Sequence, residues 1–346
     1  MGLGYQFSDR ISIDYDLWYD ESLPNLALRG PQTVFSHNDT FWCFVGAAQT
    51  FGRFVEMPFP QIVSAWKGVA HLNLGLAGAG PAFFADWPKI LERINQSSHC
   101  FLQVMSGRSI STGLLRTVGF GGMLEFTRGK LKGQRFLAAD AYTKLRDNYS
   151  QQDLVEQLQE AKANWVNAYR RLIEQITVPL IGIWVSRRDR NEQPATDEYA
   201  LLGDFPHLIT PSELRVFDEY GLRLVGEKLL GKPEQLLEGF TARKPLEVYN
   251  AQLFPGRANW SRSVNTYYPT PEMHRALAST IIANLAAEGI PGTRVARVER
   301  SQSAMHLPTA SMRASISPPP KLSAASDMRW RLRSIVQKAR RRLKGT

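Results

Sequence analysis

The sequence is poor in cysteine, with only Cys43 and Cys100 among its 346 residues, and both lie inside short apolar runs. Such thiols are typical of a buried core, so we expect neither a disulfide framework nor a cysteine nucleophile. The chain also lacks any run of about 18 apolar residues, and its start lacks the basic and apolar regions of a signal peptide. We therefore expect a cytoplasmic protein that neither spans a membrane nor is secreted.

Histidine is scarce as well, and the six histidines form no His-x-x-x-His pair and no cluster with cysteine. Metal sites need several ligands at defined spacing, so the sequence predicts no metal site. The glycine-rich stretch 119–122 has no lysine after it and is not a phosphate-binding P-loop. We expect no cofactor.

The net charge of +10 is concentrated at one end of the chain. Residues 328–346 contain eight basic and no acidic side chains, which leaves 34 basic against 32 acidic residues elsewhere. A nearly neutral body disfavours nucleic acid as a partner. Apolar residues would line one side of a basic helix over 327–346, which predicts binding to an anionic membrane surface. A solvated tail and a helix that binds another protein are the alternatives.

Short apolar runs alternate with helical patterns through the middle of the chain, which indicates helices on both faces of a parallel sheet. The fold class is therefore α/β, a three-layer α/β/α sandwich with a mainly parallel five-stranded, flavodoxin-like sheet. The predicted strands lie near 41–46, 70–74, 100–105, 178–185 and 206–210, and the clearest helices cover 152–175 and 271–288. The predicted divisions are an N-terminal extension (1–40), the α/β domain (41–292), a disordered linker (293–326) and the basic helix (327–346).

Four stretches carry a family pattern in the right order. Residues 46–52 read Gly-Ala-Ala-Gln-Thr-Phe-Gly after the first strand, and 73–80 read Asn-Leu-Gly-Leu-Ala-Gly-Ala-Gly after the second. Residues 107–110 read Gly-Arg-Ser-Ile, and 265–278 introduce the last helix. This order resembles the SGNH (GDSL-type) hydrolases, which implies their fold over roughly residues 40–290.

The resemblance also shows which reacting groups are replaced. Ala48 stands where the family has its nucleophilic serine, and Tyr268 stands where it has the catalytic histidine. Ser109 replaces the oxyanion asparagine and Asn265 replaces the aspartate, while Gly78 matches the oxyanion glycine. The chain also resembles an uncharacterised bacterial family, a domain of unknown function linked to surface polysaccharides, on residues 46–52 and 267–274.

These replacements predict a ligand-binding or accessory protein of surface-glycan metabolism without serine-hydrolase chemistry. Its partner would be a small-molecule or glycan ligand, and Arg53 or Arg108 would bind an anionic group on it. The residues expected to line the pocket are Ala48, Gln49, Thr50, Arg53, Asn73, Gly78, Arg108, Ser109, Asn265 and Tyr268.

An enzyme is the alternative interpretation. An ester hydrolase or acyl/sulfuryl transferase would use Ser106 or Ser109 as nucleophile and His274 as base. A packing or capping role for His274 competes with that assignment. Tyr267 and Tyr268 would stack on sugar rings or close the edge of the core. A third hypothesis is a membrane-surface scaffold that acts through residues 328–346.

Overall fold

The structure, a computed structural model, describes residues 9, 13–32, 40–195, 201–239, 244–245, 264–265 and 267–288. The predicted linker over 293–326 and the predicted basic helix over 327–346 lie outside these residues. The predicted domain boundaries stay predictions. Within the N-terminal extension, Trp18, Leu23 and Leu28 are buried in the main core.

Eight strands and eight helices account for most of the regular structure in these residues. The strands are β1 Phe41–Gly46, β2 Ala70–Gly75, β3 His99–Gln103, β4 Leu115–Val118, β5 Met123–Phe126, β6 Arg135–Leu137, β7 Leu180–Ile183 and β8 Leu224–Val225. The helices are α1 Ala48–Phe51, α2 Phe59–Lys67, α3 Pro81–Ala85, α4 Pro88–Asn95, α5 Ala138–Asn148, α6 Gln151–Gln175, α7 Pro211–Asp218 and α8 Pro271–Glu288. Two-residue ladders pair Glu234–Gln235 with Val264–Asn265 and Leu237–Glu238 with Lys244–Pro245.

The central sheet has five parallel strands in the order β2-β1-β3-β7-β8. This is the flavodoxin-like order, in which the chain starts near the middle and winds outward in both directions. The structure therefore confirms the predicted fold class, a three-layer α/β sandwich with a parallel five-stranded sheet.

Alternate residues of the strands face two separate helical layers, because successive side chains in a strand point to opposite faces. Cys43 and Leu102 pack in one layer with residues of α4, α6 and α7. Phe44 and Ile183 pack in the other with residues of α2 and α8. Burial in these layers raises the pKa of both cysteine thiols, which are free and structural.

The predicted helices over 152–175 and 271–288 are confirmed as α6 and α8. Helix α6 begins at a capping box in which Ser150 and Asp153 each accept a hydrogen bond from the other's backbone N–H. Within the described chain, no helix combines the length and the hydropathy needed to cross a bilayer.

The fifth strand was predicted at the wrong place. Residues 206–210 form a loop, in which Leu208 has a left-handed backbone (φ 68°) that does not fit a strand. The chain then enters α7, capped by Thr210, and the fifth strand forms only afterwards as β8. The short apolar run predicted a strand, but the backbone conformation of Leu208 makes this segment a loop.

A second, antiparallel sheet lies between β3 and α5 in the chain and was not predicted. Strands β4, β5 and β6 pair in sequence order and pack on α5 and α6 through Leu115, Leu124 and Tyr142. Its β4–β5 turn contains the glycine-rich stretch 119–122.

Helix α1 approaches β2 so closely that only glycine fits at the end of that strand. A Cβ added at Gly75 would lie 2.6 Å from Phe51 Cα, which is backbone and has no freedom to move aside. This contact fixes the turn after β1 against the turn after β2.

We expect Gly75→Ala to lower the free energy of unfolding by about 2–3 kcal/mol, because overpacking against backbone forces the two elements apart. Urea unfolding measures this change. Gly113→Ala is the matched control, since its added Cβ would meet the end of the Glu160 side chain at 3.3 Å and costs less than about 1 kcal/mol. Equal losses in the two variants would contradict the close approach.

Candidate functional site

The carboxyl ends of the parallel strands meet at one edge of the sheet, where open α/β folds hold their ligands. The turns that leave β1, β2, β3 and β7 there cover residues 47–53, 76–80, 104–110 and 184–188. All but two of the residues predicted to line the pocket lie on or just beside these turns. The other two, Asn265 and Tyr268, come from the segment that precedes α8.

Gln103, the last residue of β3, organises the turn that follows β1. Its Oε1 accepts hydrogen bonds from Ala47 N (2.9 Å), Thr50 N (3.3 Å) and Thr50 Oγ1 (2.6 Å). Its Nε2 donates to Gln49 Oε1 at 3.4 Å. Ala48, at the serine position, is buried beside these groups and offers only a methyl group.

Two further polar side chains, the phenol of Tyr267 and the imidazole of His207, lie next to these groups. The Tyr267 hydroxyl lies 3.1 Å from His207 Nε2, and the side chains of Gln49 and Arg108 are close enough to lower its pKa against the effect of burial. His207 Nδ1 lies 2.6 Å from the Gly203 carbonyl oxygen, which only accepts, so Nδ1 carries the ring proton. Nε2 therefore accepts a hydrogen bond from the Tyr267 hydroxyl, and Gln49, which accepts from Gln103, lies near that hydroxyl.

Burial fixes the protonation states of this pair. Burial, reinforced by the positive charge of Arg108, lowers the pKa of His207 to about 3, so the ring is neutral near pH 7. Burial also raises the pKa of Tyr267 above its ordinary value, although Arg108 opposes the shift. A neutral phenol and a neutral imidazole make a stable hydrogen bond but a weak nucleophile and base.

Arg53 forms an ion pair with Asp9. Its Nε and Nη2 lie 2.6 and 2.7 Å from the two oxygens of Asp9, and its Nη1 donates to the Tyr268 hydroxyl at 2.9 Å. The guanidinium also covers the rings of Phe54 and Tyr268. The bidentate pair with Asp9 neutralises the charge, so Arg53 is a structural cation here, whereas Arg108 lies near the Tyr267 hydroxyl.

Asn265 shapes the segment that carries the two tyrosines. Its Oδ1 accepts from the backbone N–H groups of Tyr267 (3.1 Å) and Tyr268 (2.9 Å), and its Nδ2 donates to Tyr268 O at 2.8 Å. At the position of the family's aspartate, Asn265 thus holds a turn rather than orienting a base.

The structure brings Gly78 and Ser109 together through the turn of the second sheet. A Cβ added at Gly78, whose φ is +76°, would lie 2.5 Å from Gly122 Cα. A Cβ added at Gly121 would lie 3.3 Å from both Gly78 O and Ser109 Cβ. The glycine at the oxyanion position is therefore covered by the turn of another sheet.

The remaining polar candidates bond to the backbone. Asn73 donates to Thr50 O at 3.0 Å and accepts from Gly75 N at 2.9 Å, so it joins the first two turns. Ser106 Oγ accepts from Arg108 N at 3.4 Å. Ser109 is buried between the glycines described above.

His274 packs against the start of α2. Its Nδ1 accepts a hydrogen bond from Phe59 N (3.1 Å), the first backbone N–H of α2, and its ring stacks on the Phe59 ring. Burial, together with Arg29, lowers its pKa to about 3. The geometry is that of a helix cap, and it supplies no base for Ser106 or Ser109.

Gln103 and His207 were missed by sequence analysis. Gln103 carried a signal, because it is a polar residue at the carboxyl end of an otherwise apolar strand. His207 carried none, because it lies on a loop about 100 residues away in the chain. Among the described residues, no group of three or more His, Cys, Asp or Glu side chains is placed to hold a metal ion.

Comparisons with known proteins agree with this picture at a coarse level. Residues 5–116, about a third of the chain, match the model of a family described as a domain of unknown function (DUF6473). This match confirms the similarity to a domain of unknown function, and the link to polysaccharides stays a prediction. No curated protein matches the chain.

Several solved structures are similar to the chain. Phospholipase A1 from Streptomyces albidoflavus NA297 is 9% identical with a TM-score of 0.38, over 71% of this chain and 98% of its own. A carbohydrate esterase family 2 enzyme from Corynascus thermopiles (Myceliophthora fergusii) is 8% identical with a TM-score of 0.38, over 75% and 69%. A putative GDSL-like lipase from Parabacteroides merdae ATCC 43184 is 12% identical with a TM-score of 0.34, over 71% and 96%. The activities in these names belong to those proteins.

We expect Gln103→Leu to lower the free energy of unfolding by about 3 kcal/mol, because it leaves the buried donors of Ala47 and Thr50 without an acceptor. Urea unfolding measures the loss. Gln152→Leu, an exposed change of the same kind on α6, is the control and costs less than about 0.5 kcal/mol. A loss no larger than that of the control would show that Gln103 does not hold the turn.

Stability is expected to fall as the pH drops below about 6.5. Burial lowers the pKa of His71 to about 4 and those of His207 and His274 to about 3. In this pH range the histidines of the unfolded chain therefore bind protons, whereas those of the folded chain stay neutral. Each histidine then removes up to about 2 kcal/mol between pH 7 and pH 5. Unfolding at both pH values should show a pH-dependent loss about 2 kcal/mol smaller in His274→Gln than in the wild type. An unchanged pH-dependent loss would contradict this assignment.

Proposed function

We propose that this chain is an SGNH-hydrolase-like protein without the family's Ser-His-Asp machinery, which binds a small anionic glycan ligand at the crevice without cleaving it. The observation that carries the proposal is that the polar side chains here hydrogen-bond in pairs, Gln103 with Gln49 and Tyr267 with His207. These side chains lie near Ala48, and their polar groups are occupied by hydrogen bonds within the protein.

Catalysis by acyl transfer needs a nucleophile next to a base that can accept its proton. Ala48 has no such group, and the histidine near it, His207, is neutral with a low pKa and already accepts from Tyr267. This supports a binding role over hydrolysis.

Ligand binding is supported by the side chains at the crevice. Half-buried Tyr267 and Phe205 have ring centroids 6.3 Å apart and would offer aromatic surface to a sugar. Arg108 is half-buried beside them and, in the described part of the chain, forms no ion pair with a carboxylate. Its guanidinium would bind the carboxylate, sulfate or phosphate group of an acidic glycan.

The cellular setting of the proposal comes from the sequence alone. We place the protein in the cytoplasm, peripheral at an anionic membrane surface through residues 328–346, as an accessory of surface-glycan metabolism. Nucleic acid is not a partner in this proposal, and no cofactor takes part.

The enzyme alternative is favoured by one observation, the hydrogen bond between Tyr267 and His207. An esterase or transferase would have to use this pair, because His274 is a cap of α2. It would therefore lose its turnover when His207 is replaced.

We expect the purified protein to bind sodium glucuronate and not glucose in isothermal titration calorimetry. Arg108→Gln should weaken that binding tenfold or more, since it removes a charge-assisted hydrogen bond worth about 1.5–3 kcal/mol. Arg215→Gln, an exposed arginine of α7, removes the same charge elsewhere and should leave the affinity unchanged.

The same preparations are tested with p-nitrophenyl acetate. Wild type and His207→Ala should show equal background rates. Turnover that depends on His207 would overturn the non-catalytic role, and equal affinity for glucose and glucuronate would overturn the preference for an anion.

A further inference from the structure

Arg187 follows β7 at the same edge of the sheet as the crevice, and nothing above assigns it a role. Within the part of the chain that the structure describes, its Nη1 and Nη2 reach two carbonyl oxygens, Gly231 O at 3.4 Å and Tyr268 O at 3.5 Å, which are long for hydrogen bonds. Its Nε is buried and donates to no partner among those residues. The guanidinium has lost water at this nitrogen without gaining an acceptor.

The lack of an acid distinguishes Arg187 from its neighbour along the chain. Arg188 is close enough to Asp204, Glu192 and Asp189 for these carboxylates to raise its pKa against the effect of burial. For Arg187, burial alone lowers the pKa, and no carboxylate in the described residues forms an ion pair with it. A partly buried cation without a counter-charge is unfavourable in the free protein.

Arg108 shares this property and contacts the same short segment. It lies close enough to the Tyr267 hydroxyl to lower the pKa of that group, whereas Arg187 reaches the main-chain oxygen of Tyr268. Among the described residues, two guanidinium groups without carboxylate partners therefore lie near the same two-residue segment, Tyr267 and Tyr268. The ligand that neutralises both carries two negative charges.

We propose that Arg187 and Arg108 together bind the phosphoryl group of a sugar phosphate, a dianionic ligand whose sugar ring lies against Tyr267 and Phe205. This inference rests on the proposed function and deepens it by naming the ligand class and a second binding residue. A phosphate monoester carries a charge of about −1.5 to −2 at pH 7 and has three acceptor oxygens, enough for two guanidinium groups. A uronic acid has one charge and would engage only one of them fully.

The test compares probes of different charge by isothermal titration calorimetry with the full chain. Glucose 1-phosphate should bind at least tenfold more tightly than glucuronate, and inorganic phosphate, which lacks the ring, should bind more weakly than the sugar phosphate. Arg187→Gln should weaken binding of glucose 1-phosphate at least tenfold and that of glucuronate less than threefold. Arg108→Gln should weaken both, and Arg215→Gln neither.

Folding is checked separately by the melting temperature of the free variants. Because Arg187→Gln removes an uncompensated charge, its melting temperature should equal or exceed that of the wild type. A lower melting temperature would show that Arg187 has a structural partner and would overturn the inference.

The outcomes separate the two proposals. If glucuronate and glucose 1-phosphate bind equally well and Arg187→Gln changes neither affinity, the dianion site is wrong and the proposed function stands. Inorganic phosphate binding as tightly as glucose 1-phosphate would remove the sugar from the inference. If no anionic sugar binds, the proposed function itself fails.

Discussion

The acceptance of three hydrogen bonds by Gln103 Oε1 is the interaction on which the crevice depends. In a buried site these donors would otherwise lose their water without replacement, at about 1–3 kcal/mol each. One amide oxygen therefore holds the turn after β1, while the nitrogen of the same amide donates to Gln49, whose side chain lies near Tyr267. The turn at the carboxyl end of the first strand is thus fixed by a neutral side chain.

The same principle explains why each replaced residue has a packing role. Asn265 closes the turn that carries the two tyrosines. The Tyr268 hydroxyl is not a base, and it accepts a hydrogen bond from Arg53. Acidic and basic groups are paired with each other, as Arg53 is with Asp9, or are kept neutral by burial, as His207 and His274 are. The exceptions among the described groups near the crevice are Arg108 and Arg187, which is why ligand recognition is assigned to them.

Most of the sheet could be predicted from the sequence because buried parallel strands are continuous apolar runs flanked by turn residues. The site could be predicted only where it follows such a strand, as Gln49, Thr50 and Arg108 do. His207 and the pairing of Arg53 with Asp9 depend on contacts between residues far apart in the chain, which no local pattern encodes. The predicted strand at 206–210 shows the same limit, because Leu208 adopts a backbone that its residue type rarely takes.

The second sheet has a consequence for how this crevice varies. Its glycine turn, residues 119–122, touches Gly78 although it belongs to a ladder separate from the five parallel strands. A longer or bulkier hairpin tip would change what covers the turn after β2, while the five-stranded sheet keeps its own hydrogen bonds. This edge of the sheet can therefore be remodelled through one hairpin without a change in the strands that support it.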